Sequence, residues 1–75
     1  MNKIKRNNIA SAINKMNSAI VILDDVLDKE SFAMENYPEN LQGTDIYYDM
    51  ESAVDTLQSV IDDVNDSIES LESLI

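Results

Sequence analysis

Two groups of aspartates share one spacing, Asp24-Asp25-Val26-Leu27-Asp28 and Asp62-Asp63-Val64-Asn65-Asp66. On a helix, carboxylates three or four positions apart lie on one face, and two such groups on neighbouring helices could hold Mg²⁺ or Ca²⁺ between them. Helical enzymes that handle diphosphates use related spacings. The other ingredients of catalysis are missing. The chain has no His and no Cys, which removes the commonest general base, the thiol nucleophile, the disulfide and the usual zinc ligands. The Glu-x-x-His pairs of di-metal bundles are unavailable for the same reason.

Two further groupings could act on a ligand or partner. Lys3, Lys5, Arg6 and Lys15 all precede the first acid, Asp24, whereas residues 30–75 hold twelve acids and no base. The aromatic residues, Phe32, Tyr37, Tyr47 and Tyr48, fall within seventeen positions, with Met34, Leu41 and Met50 among or beside them. Such a group either plugs one end of a core or docks on a partner, and tyrosine and methionine among acids suit a basic, grooved surface.

The elements that carry these residues follow from hydrophobic spacing. Apolar residues fall at Ile9, Ile13, Met16, Ile20, Leu23 and Leu27, and again at Tyr47, Met50, Val54, Leu57, Ile61, Val64, Ile68, Leu71 and Ile75. Steps of three and four alternate throughout, the heptad pattern of helices that wind about each other. With Ile13 and Tyr47 at position a, the g positions add Ala12, Ala19, Val26 and Ala33, then Ile46, Ala53, Val60, Ser67 and Leu74. An a/d/g stripe is wider than one seam needs and fits a multi-helix bundle. Pro38 ends the first helix at or before Tyr37. Gly43 offers a free hinge, and Thr44 or Asp45 can cap the second helix. The expected fold is a single all-α domain over residues 1–75. It has helix 1 at about 7–35, a turn at 36–44 and helix 2 at about 45–75, forming an antiparallel hairpin that dimerises into a four-helix bundle.

This frame decides between the chemistries. The repeated aspartates occupy positions b, c, e and f, which point away from the seam, so a solvated acidic face is favoured over a metal site; no metal, cofactor or catalytic residue is expected. Antiparallel pairing sets the basic start of helix 1 beside Asp62, Asp63, Asp66, Glu69 and Glu72, and pairing with these acids is the favoured use of the bases. At the turn, Asp24, Asp25, Asp28, Glu30, Glu35, Glu39, Asp45, Asp49 and Glu51 face only Lys29. Tyr48 stands about 100° round the helix from Tyr47 and so points outward. The candidate partner-binding residues are Tyr48, Asp45, Asp49, Glu51, Tyr37 and Glu39.

Composition narrows the setting. One Gly and one Pro in 75 residues exclude a many-stranded sandwich or barrel. A net charge of -10 repels nucleic acid and anionic membranes. The longest apolar run, Ala19 to Leu23, has five residues against the ~20 of a membrane span. The basic start is followed by Asn7, Asn8, Asn14 and Lys15 rather than an apolar stretch. A cytoplasmic protein is expected.

The segment Asn36-Tyr37-Pro38-Glu39-Asn40-Leu41-Gln42-Gly43-Thr44, followed by Met50-Glu51-Ser52-Ala53-Val54-Asp55-Thr56-Leu57, resembles small acidic proteins of phages and prophages of low-GC Gram-positive bacteria. These have a PENLQG turn between two heptad-patterned helices; Thr44 stands where a serine is frequent. The resemblance covers about residues 30–66 and implies a setting rather than site residues, because short phage proteins without catalytic residues often disable a host protein, including restriction and CRISPR effectors. The expected function is non-enzymatic occlusion of a basic surface on a host protein, with acids standing in for phosphates as a partial DNA mimic. The alternatives are a structural or regulatory helical dimer without inhibitory role, or an oligomeric sponge for a small anionic ligand at the basic end.

Overall fold

The computed structural model describes all 75 residues, Met1–Ile75. Helix α1 spans Lys3–Glu35, a single 3₁₀ turn spans Glu39–Leu41, and helix α2 spans Asp45–Glu72. The two helices fold back on each other as an extended hairpin, 59 × 15 × 13 Å.

Heptad spacing sets which residues meet. Ile13, Ile20, Ile61 and Ile68, two a positions from each helix, are the buried core, at 4–8% exposure. Ile9, Met16, Leu23, Leu27, Val64 and Leu71 pack against them half-buried. These are further a and d positions, so the core is one seam drawn along the hairpin. No side chain is fully enclosed and no polar side chain is buried, as expected where each helix has only one neighbour.

Helix α1 begins at Lys3, four residues earlier than the hydrophobic period implies. The cause is local: the Asn2 side-chain oxygen accepts the Lys5 backbone N–H at 2.8 Å, satisfying one of the free amides of the first turn. At its other end the helix stops at Glu35, as Pro38 demands. The Asn36 backbone N–H and its side-chain amide both donate to the Phe32 carbonyl. Helix α2 ends at Glu72, with the last residues in a turn.

The turn differs from expectation at Thr44. Thr44 occupies the N-cap of α2, but its hydroxyl donates to the Leu41 carbonyl at 2.7 Å and makes no capping bond to the helix. The 3₁₀ turn brings that carbonyl within reach, so the hydroxyl closes the turn. Gly43, the expected hinge, lies outside the left-handed region, since no residue has positive φ. A methyl group at Gly43 would meet nothing within 4 Å. Gly43→Ala is therefore expected to stabilise the fold by about 0.4–1 kcal/mol, by restricting the unfolded chain. A lowered urea midpoint would show that the turn needs glycine's freedom.

Candidate functional site

The loop end of the hairpin gathers the residues singled out above. Pro38 and the 3₁₀ turn fold Tyr37 back over the first turn of α2, where its ring stacks on Tyr47 at 5.8 Å and 20°. Tyr47 sits at the seam position a and meets the edge of Tyr48 at 6.5 Å and 64°, a favourable aromatic geometry. Tyr37, Tyr47, Met34 and Met50 are half-buried and close the end of the core. Tyr48, one position off the seam, is 56% exposed. The aromatic group is thus a plug on its inner side and an exposed surface on its outer side.

Phe32 belongs to the aromatic group by its place in the chain and not by packing. It is 69% exposed because it lies at heptad position f, five residues beyond Leu27. Extending the heptad count past Leu27 would have placed it outward, and it joins Tyr48 as an exposed ring at this end.

The acids frame these rings. Glu39, Asp45 and Asp49 are exposed, and Glu51 is half-buried. The one ion pair of the molecule joins Lys29 Nζ to Asp25 Oδ2 at 2.8 Å, one helical turn apart. Hydrogen bonding to Asp25, and then its charge, raise the Lys29 pKa above the ordinary lysine value. The only base among the loop-end acids is therefore engaged within its own helix, and the acids of the turn and of α2 make no ion pair.

At the open end the expected pairing does not form. Lys3, Lys5, Arg6 and Lys15 make no ion pair with Asp62, Asp63, Asp66, Glu69 or Glu72. All nine are exposed. Lys15, Asp62, Asp63, Asp66 and Glu69 lie at positions b, c and f, away from the seam. Lys3, Lys5 and Arg6, at e, g and a, lie on the first turns of α1 with no acid of α2 in ion-pair reach. Arg6 instead donates to the Met1 carbonyl, and Asp62 accepts from the Gln58 side chain at 3.0 Å. The bases stand at the positive end of the α1 dipole and the last acids at the negative end of α2, an arrangement that antiparallel packing offsets only at long range.

All six aspartates of the repeated motif are exposed, and no three carboxylates come together as a cation cage. The surface encloses no cavity. No helix is long and apolar enough to cross a membrane. What the fold and this end define together is an extended acidic helical hairpin with aromatic side chains at its loop end. Comparison of the chain with protein-family models, curated proteins and solved structures gives no match.

Proposed function

We propose that the protein is a non-enzymatic binding protein, a homodimer assembled as a four-helix bundle, whose loop end occludes a basic surface of a host protein. The observation that carries this reading is the placement of two exposed rings, Tyr48 and Phe32, among acids with no free base nearby. Charge steers a basic partner toward that end, and the rings supply area that is desolvated on contact. The likeness of the turn segment to small phage proteins supports a host protein as the target, with restriction and CRISPR effectors as candidates, and a cytoplasmic site of action.

Acids here stand in for phosphates only in part. Helix α2 carries nine acids along about 42 Å, one per roughly 5 Å, against one charge per ~1.7 Å of DNA duplex. The mimicry is thus of sign and location, with the aromatic tip adding what charge density lacks.

Capture tests the reading. Immobilised protein should retain a DNA-binding protein from a Gram-positive lysate at low salt and release it at high salt, and the purified partner should lose its DNA as the hairpin is added. A captured protein that keeps its DNA, or that binds Tyr48→Ala as firmly as the parent, would count against occlusion by the loop end.

A further inference from the structure

The hairpin has two unlike broad sides. Reversing one helix of a coiled pair sets the g row of each helix beside the g row of the other, and the e rows likewise. One side therefore carries Lys5, Ala12, Ala19, Val26 and Ala33 of α1 with Ile46, Ala53, Val60, Ser67 and Leu74 of α2, of which only Lys5, in the first turn of α1, is charged. Ile22, at position c between Ala19 and Val26, widens the same strip and is 65% exposed. The opposite side carries Lys3, Ala10, Asn17, Asp24 and Ser31 with Glu51, Gln58, Asn65 and Glu72, a mostly polar and charged row. Ile46, Val60 and Leu74 are 41–61% exposed, so a large part of the apolar stripe is left uncovered by the hairpin's own packing.

We infer that a second copy of this chain covers the g side, so that the four-helix bundle forms through this face and no other. The inference rests on the dimer reading above and adds the surface to it. Size is one reason for choosing a second copy. A strip running the length of α2, about 42 Å, and 15 Å wide offers roughly 600 Å², the lower bound of what stable interfaces take from each partner. Charge is the other reason. The basic partner proposed for the loop end would be held by acids, and the g side offers it none. A strip that is apolar but for Lys5 near the open end, on a chain of net charge -10, suits a surface equally poor in charge, and the other copy's g side is one. A two-fold axis lets the same patch serve both copies.

The interface has an unusual salt dependence. Two chains of the same sign repel at long range, so screening should tighten the dimer, whereas it should loosen the loop end from a basic partner.

Equilibrium sedimentation across protein concentration and salt, on the full chain and two variants, tests this. Val60→Glu adds a charge on the g side and Asn17→Glu adds one on the e side. The parent and Asn17→Glu should show twice the 8.4 kDa chain mass, and the dimer should strengthen with salt. Val60→Glu, which sets a carboxylate on both halves of the interface, should raise the dissociation constant at least about a hundred-fold. Because Val60→Glu could also unfold the chain, a spin label provides the second reading. The protein has no cysteine, so a nitroxide on Ser67→Cys should be immobilised in the dimer and one on Asn65→Cys should stay mobile. A monomeric parent would overturn both the dimer and its face. A dimer that loses mass with Asn17→Glu, immobilises the label at residue 65 rather than 67, or dissociates as salt rises would overturn the face alone.

Discussion

Ile61→Asp is expected to abolish the fold. Ile61 is the most enclosed side chain of the protein, at 4% exposure, and the buried side chains about it are all isoleucines. An aspartate there would bury an unpaired carboxylate with no donor in reach, a change of the kind that costs more than about 4 kcal/mol. A 75-residue chain has only about 4–11 kcal/mol of stability to lose. The helical circular dichroism signal should therefore collapse at room temperature. Ile61→Ala grades the effect: it should cost about 2–5 kcal/mol through lost transfer energy and the cavity left behind, read from the urea midpoint. Val21→Asp, at a site 69% exposed, should change stability by no more than about 0.5 kcal/mol. Equal losses from Ile61→Asp and Val21→Asp would mean that the seam runs along a different face.

The second large effect is kinetic. Changing Asp45, Asp49 and Glu51 to Asn, Asn and Gln removes three charges from the loop end while keeping side-chain shape. Association with a basic partner should slow by about ten-fold or more at low salt, and the salt dependence of the rate should flatten. Asp62, Asp63 and Asp66 changed together to Asn remove the same charge from the open end and should slow association far less. Tyr48→Ala acts after encounter, because a desolvated ring holds rather than steers; a loss of about 2 kcal/mol would appear as a roughly thirty-fold faster dissociation. Stopped-flow rates at several ionic strengths separate the three. If the open-end triple slows association as much as the loop-end triple, the acidity acts through net charge and the tip is not the contact surface.

Long-range packing was more legible in the sequence than local chemistry. Alternating steps of three and four point to Ile13, Ile20, Ile61 and Ile68 because one seam between two helices has a single geometry, and one proline is enough to divide the chain. The capping and turn contacts were harder to read. Asn2 starts α1 early through one side-chain bond that no hydrophobic period records. Thr44 has two possible uses for one hydroxyl, and the 3₁₀ turn decides between them. The open-end ion pairs fail for reasons that position along the chain does not convey. Lys15, Asp62, Asp63, Asp66 and Glu69 stand on outward faces of neighbouring helices, and Lys3, Lys5 and Arg6 sit on the first turns of α1 with no acid of α2 in ion-pair reach. At the loop end, the outward direction of Tyr48 follows from its step off the seam, whereas the Tyr37–Tyr47 stack depends on how the turn folds back.

The slender outline of the hairpin governs how it moves in solution. Each hairpin is about four times as long as it is wide, and two laid side by side are still longer than wide, so the body turns end over end more slowly than it spins about its length. Backbone N–H bonds in a helix lie close to the helix axis, here close to the long axis, so spinning hardly reorients them. Nitrogen-15 relaxation should accordingly report a correlation time longer than a compact globule of twice 8.4 kDa, the mass of the dimer, would give, nearly uniform through Lys3–Glu35 and Asp45–Glu72. Between Asn36 and Thr44, where the amides turn across the axis, shorter values should appear even if the turn is as rigid as the helices.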